Sequence, residues 1–154
     1  MKKNLRRTLA AVSTAALASV TLGVSSATAE PEPVTGPKKL NFTQALAYGL
    51  TQPDAQAQGV NDGDCVPKEG TNPVVLVHGT FANQYDSFAR MAPELKAAGH
   101  CLYSFNYGKG SDAAVGNIPG RYGLTGLSEN GDQLAAFADT VRERTGEDVL
   151  DMIG

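Results

Sequence analysis

The residues best placed to do chemistry stand in one short stretch, Asn72–Asn83, which reads NPVVLVHGTFAN. An apolar run ends there on His78, Gly79 and Thr80. Ester cleavage passes through a tetrahedral intermediate carrying a negative oxygen, and that oxygen needs preorganised N–H donors. A loop at the end of a strand can aim such a donor. Gly79 permits a close turn, and Thr80 then presents its backbone N–H to the oxyanion, with its hydroxyl close by. One donor of this kind is typically worth about 3–4 kcal/mol of barrier.

Other chemistries find less support. The Gly-rich loop NYGKGSD (Asn106–Asp112) invites a phosphate-binding reading, but no G-x-x-x-x-G-K-[ST] pattern runs through Lys109. HGTFANQ likewise makes no G-x-G-x-x-G. NDGD (Asn61–Asp64) has acidic ligand character without the calcium-loop pattern, and reads as a turn. No cofactor and no metal site is expected. Ser87, Ser104, Ser111 and Ser128 each lack the strand–turn–helix setting of a nucleophile. Phe81, Tyr85 and Tyr107 are the aromatics available to line an acyl pocket or simply to pack.

The elements that must position the loop follow from periodicity. Val74–Val77 is a continuous β-branched run, as expected of a strand covered on both faces. Phe88, Met91, Leu95 and Ala98 recur at helical spacing, with Ser87 as a possible cap, Gly99 as the stop, and the main helix starting near Pro93. Cys101–Tyr107 reads as a second strand and Ser128–Gly146 as a second helix, with Leu134, Phe137, Ala138 and Val141 on one face. DVLDMIG, from Asp148 to Gly154, reads as a third strand. Strand, helix, strand, helix, strand predicts an α/β fold with three parallel strands and flanking helices. Upstream, Phe42, Ala45, Leu46 and Leu50 would share one side of a short helix, and residues 51–73 read as a loop without periodicity.

Composition bounds the function classes. The 154 residues suffice for one domain at most. Four of the thirteen basic residues precede the first acid, Glu30, which leaves nine basic against sixteen acidic residues from there on. Such a balance argues against nucleic acid as a partner. Residues 1–29 have the basic head, apolar middle and small-residue end of a secretory signal peptide, with cleavage expected after Ala29. A membrane helix is the competing reading, but the apolar run is short and diluted by Ser13, Thr14, Ser19 and Thr21. The expected organisation is a signal at 1–29, an extension and loop at 30–70, and a partial α/β domain at 71–154. Export favours pairing the two cysteines, Cys65 and Cys101. Two buried free thiols or a metal pair are the alternatives, the latter poor without nearby histidines.

Asn72–Asn83 followed by FARMAPELKAAGHCLYSFNYG resembles secreted bacterial triacylglycerol lipases and esterases of the α/β-hydrolase fold. The resemblance runs from about Ala45 to Gly154 and includes Gln52-Pro53-Asp54-Ala55. It implies a Cys65–Cys101 disulfide, an oxyanion donor at Thr80, and a nucleophile elbow, G-x-S-x-G, whose first glycine is Gly154. The serine would lie two positions further on, with the acid and the histidine base after it. Both histidines of this chain precede the elbow, so His78 is expected to orient the loop through its ring, and His100 to sit at a surface turn. The resemblance thus implies a secreted lipase or carboxylesterase acting on lipid or carboxylic esters, in transient contact with a lipid surface and without a stable membrane span. This stretch of chain would itself be inactive, and its last strand would leave an apolar edge open. A non-catalytic lipid- or partner-binding protein on the same scaffold, and an acyltransferase, share these early residues.

Overall fold

A computed structural model of the chain describes residues 33–110, 116 and 118–154. The expected signal peptide and Ser111 lie outside the described residues. Three strands, β1 (Val74–Leu76), β2 (Leu102–Ser104) and β3 (Asp151–Ile153), form one parallel sheet in the order β2-β1-β3. Val74, Val75 and Leu76 stand opposite Leu102, Tyr103 and Ser104 on one side, and opposite Asp151, Met152 and Ile153 on the other. Three helices accompany the sheet: α1 (Phe42–Thr51), α2 (Met91–Ala97) and α3 (Leu127–Thr145).

β1 is the central strand, and its β-branched run is buried on both faces because successive side chains point to opposite sides. Val74 and Leu76 pack with Leu102, Phe88 and Ala92, with Met91 and Leu95 of α2 against them. Val75 packs with Tyr103 and Val141, with Leu134 and Phe137 of α3 against them. A crossover from β1 to β2 and then back across β1 to β3 puts α2 on one face and α3 on the other, as a doubly wound sheet requires. Full burial of each β1 side chain contributes about 1.5–3 kcal/mol.

Helix α3 ends as its sequence implies, on Gly146 with φ 73°. Two readings are corrected. Helix α1 forms, capped by the Asn41 side chain on the Gln44 N–H, but it buries Ala45 and Gly49. Phe42 and Leu50 are 56% and 44% exposed. That face packs on Tyr85, which clusters with Ala45, Ala55 and Ala89 and takes Tyr48 against it, while a Cβ on Gly49 would stand 2.8 Å from Asn83 Nδ2. The N-cap position of α2 is Arg90, which makes no side-chain capping bond, rather than Ser87. Ser87 instead sits one turn earlier, its hydroxyl beside the Asp86 carboxylate.

The loop before β1 is irregular, yet it contributes to the core through Ala57 and Val60. Val60 bridges Leu102 in parallel, and the Asn61 side chain both accepts from the Ser104 N–H and donates to its carbonyl. This covers the outer edge of β2. On the other edge, β3 has no strand partner beyond β1 among the described residues, and Val149 and Met152 are exposed. No helix of the described residues is long and apolar enough to cross a membrane.

Cys65 and Cys101 form a disulfide that pins this loop to the start of β2. It closes a separation of 36 residues. Cross-linking a loop of this length removes unfolded-state entropy equivalent to about 3–4 kcal/mol. The Cys65→Ser/Cys101→Ser double variant should therefore lose about 3–4 kcal/mol in urea unfolding. An unchanged midpoint would show that the loop is held by Val60 and Asn61 alone.

Candidate functional site at the carboxyl end of the sheet

The strand order reverses at β1, and in open α/β sheets ligands bind outside the carboxyl ends of the strands where this happens. His78, Gly79 and Thr80 follow β1 at that point. Gly154 follows β3 beside them: a Cβ on Gly154 would stand 3.4 Å from the Val77 carbonyl oxygen. The structure thus brings the end of β3 next to the loop that carries Thr80.

His78 is buried, and its ring lies stacked on the Tyr107 ring with centroids 4.2 Å apart. Its Nδ1 is 2.9 Å from the Gly79 carbonyl oxygen, which can only accept, so Nδ1 carries the proton. Nε2 then accepts from the Tyr107 N–H at 3.3 Å. The Tyr107 hydroxyl closes the ring of contacts by donating to the His78 carbonyl. Both imidazole nitrogens are occupied, which suits a neutral ring that holds backbone and leaves no nitrogen for proton transfer. Burial pushes the His78 pKa down, against the opposing pull of the Gly79 carbonyl and Asp86.

Thr80 is exposed, and its N–H has no acceptor among the described residues. Three neighbouring groups are engaged. The Gly79 carbonyl takes His78, and the Phe81 N–H donates to the Tyr122 carbonyl at 2.9 Å. The Phe81 carbonyl accepts from Arg121 Nη1 at 2.7 Å. The conformational demand of the turn falls on Phe81, with φ 61°, and not on Gly79. A Cβ at Gly79 would meet nothing within 4 Å. The close approach that does require glycine is at Gly123, with φ +69°, where a Cβ would stand 3.0 Å from the Gly79 carbonyl oxygen and 3.1 Å from Thr80 Cα. Removing that side chain lets the 120–123 turn lie directly against the Thr80 loop.

Sequence reasoning missed the group that fixes this arrangement. Arg121 and Asp86 form an ion pair at 2.9 Å with side chains 6% and 0% exposed. Asp86 also accepts from the Asn83 N–H, and Asn83 Oδ1 accepts from the N–H groups of Tyr85 and Asp86. Asn83 Nδ2 donates to the Gly120 carbonyl. The signal was present in Asn83 and Asp86, spaced as in a side-chain-capped turn, but nothing local pointed to an arginine 35 residues on. Arg121 Nη2 is buried without a partner among the described residues.

The Gln52–Ala55 element is tied in by Asp54, which accepts from the Tyr122 hydroxyl at 2.9 Å. Burial and that bond push the Tyr122 pKa up to about 12. Tyr85 packs on Tyr48 with its hydroxyl on the Pro37 carbonyl, and Tyr107 is stacked on His78, so neither faces open space. Phe81 does border a cavity of about 440 Å³, which Thr80, Gly123, Leu124, Leu127 and Asn130 also line. Ser104 is buried with its hydroxyl on Gln84. Among the described residues no three His, Cys, Asp or Glu side chains gather as metal ligands.

Two outcomes follow from this geometry. Removing one member of a buried ion pair leaves the other uncompensated, at a cost of about 3–5 kcal/mol. Arg121→Met should show that loss in urea unfolding, and adding Asp86→Asn should recover part of it. A loss below about 1 kcal/mol would mean that water already solvates the pair. For His78 the unfolded chain takes up a proton near the ordinary value of 6.5, while the folded chain resists it. The unfolded state then binds more protons below that pH, so stability falls as pH drops through this window. The difference in stability between the wild type and His78→Asn should shrink from about pH 8 to about pH 5.5. A pH-independent difference would place the proton elsewhere.

Comparisons with protein-family models and with curated proteins find no match to this chain, so the reading of the site rests on its own geometry.

Proposed function

We propose that this chain forms the amino-terminal part of a secreted serine hydrolase, a lipase or carboxylesterase of the α/β-hydrolase type. The observation that carries the reading is the Thr80 N–H, without an acceptor among the described residues while the Gly79 carbonyl and both backbone groups of Phe81 are held. A donor fixed in this way does not reorganise when charge develops, which is what oxyanion stabilisation demands. The parallel sheet with its reversal at β1, the placement of Gly154 beside Val77, and a disulfide compatible with an extracellular protein agree with it.

In this reading the residues after Gly154 supply the serine, the acid and the histidine base. The serine oxygen attacks the ester carbonyl carbon as the base takes its proton. The carbonyl oxygen, now an alkoxide, accepts a hydrogen bond from the Thr80 N–H. Collapse expels the alcohol and leaves an acyl-serine, which water hydrolyses by the same route. Gly79 leaves the open space that an approaching ester needs, and the cavity beside Phe81 is a place for its apolar part.

The test begins with the coding sequence beyond the Gly154 codon, read for x-Ser-x-Gly. The product of that whole frame is then assayed on p-nitrophenyl esters of several acyl lengths. Hydrolysis is expected, and Thr80→Pro, which removes the N–H, should lower kcat by about 10²–10³-fold. Residues 30–154 alone should give no rate above the blank. A whole-frame protein that leaves every ester untouched would sink the proposal and favour a binding protein on this scaffold. Unchanged kcat in Thr80→Pro would remove Thr80 from the mechanism.

A further inference from the structure

The disulfide joins two chemically unlike sulfurs. Cys101 opens β2, is 1% exposed, and packs with Val75, Tyr103 and Val141. Cys65 lies half-buried on the loop, and the Lys96 ammonium donates to its sulfur at 3.3 Å. The same ammonium donates to Asp62 at 2.8 Å, and that bond chiefly holds the Asp62 carboxyl below its usual range. Arg144 lies near this loop, its guanidinium 3.6 Å from where a Cβ on Gly63 would stand. Asp64 precedes Cys65 in the chain, and the Lys68 ammonium reaches the Ala98 carbonyl. Apart from its disulfide partner, Cys101 packs against apolar side chains and the Tyr103 ring.

We propose that Cys65 is the sulfur through which this bond is made and broken, forming a mixed disulfide with an external disulfide or thiol, with Cys101 as the resolving partner. In oxidation the Cys65 thiolate attacks one sulfur of an external disulfide, RSSR. The Cys65–S–S–R bond forms and one thiolate, RS⁻, leaves. Cys101 gives its proton to solvent, attacks the Cys65 sulfur, and expels the second RS⁻. Two protein thiols are oxidised and one external disulfide is reduced to two thiols. Reduction runs the same path backward.

Two physical differences set the direction of attack. The thiolate is the nucleophile, and an ammonium in contact with Cys65 favours that form. Cys101 in its apolar surroundings is a poor thiolate and therefore a poor leaving group, because an unpaired charge buried there is costly. The sulfur an external thiol can reach is thus the one whose attack expels the worse leaving group. The folded chain should hold its disulfide against small thiols, while the reduced chain accepts an oxidant readily at one defined position.

The test uses the chain Met1–Gly154 with glutathione as the probe. Reduced Cys101→Ser and Cys65→Ser variants are mixed with oxidised glutathione, and adducts are followed by intact mass. Cys101→Ser should react about tenfold faster than Cys65→Ser near neutral pH. Adding Lys96→Met to Cys101→Ser should slow it several-fold there, with the two rates converging at high pH, where the thiolate is complete. Equal rates in the two cysteine variants, or faster reaction at Cys101, would overturn the proposal. Independent of any variant's folding, the wild-type disulfide form is treated with reduced glutathione, quenched in acid and digested. The mixed disulfide is expected on Cys65, and finding it on Cys101 overturns the assignment.

Discussion

The carboxyl end of the sheet depends on a single buried ion pair. Asp86 lies on the segment between β1 and α2, and Arg121 on the turn before α3. Neither segment has a regular hydrogen-bond ladder of its own, so each would wander without a tether. Removing both charges from water is expensive, and further hydrogen bonds offset part of that cost, although Arg121 Nη2 stays without a partner among the described residues. Asp86 takes the Asn83 N–H, and Arg121 Nη1 takes the Phe81 carbonyl. The second of these contacts carries the constraint to the Thr80 loop. One nitrogen, Arg121 Nη1, donates to both the Asp86 carboxylate and the Phe81 carbonyl, so the ion pair and the loop share a single anchor.

Around that tether the loop is held from the other side by His78. The imidazole works as a spacer with two hydrogen-bonding ends, one on the Gly79 carbonyl and one on the Tyr107 N–H. Because Tyr107 follows β2, this contact links the exits of two neighbouring strands. Thr80 therefore sits between two fixed points, one set by stacking and imidazole bonds and the other by an ion pair. Under the proposed function, an approaching anion would meet a donor on a loop held at both ends.

The sheet and its helices were legible because their signal is local. Val74–Val77 is apolar on every position, which only a strand buried on both faces needs, and the helical spacing of Leu134, Phe137, Ala138 and Val141 places α3 against it. The face of α1 was not legible, since Phe42 and Leu50 look like core residues in isolation. What decides their exposure lies more than thirty residues later: the buried face of α1 packs Ala45 and Tyr48 on Tyr85 and sets Gly49 against Asn83. Gly79 drew attention for its position, but the steric need for glycine lies at Gly123, on a segment that folds back against it. The Asp86–Arg121 pair escaped for the same reason: charge complementarity across a long loop has no periodicity. The disulfide was anticipated from composition and resemblance together, and the sheet geometry brings its two Cα atoms to 5.6 Å.

An unpaired N–H on an exposed loop is, by itself, ordinary, because water satisfies it at little cost. Its meaning comes from its neighbours. If the Thr80 loop were free to relax, the N–H could turn toward the Tyr122 carbonyl or any other acceptor within reach. Phe81 already occupies that carbonyl, and does so at φ 61°, a conformation that a bulky residue adopts only when its surroundings insist. The left-handed turn at Phe81 directs its own N–H to Tyr122 and leaves that of Thr80 without an acceptor among the described residues. Strain at one residue thus preserves a vacancy at the next, and a vacancy held by strain points to a use more strongly than one left by chance.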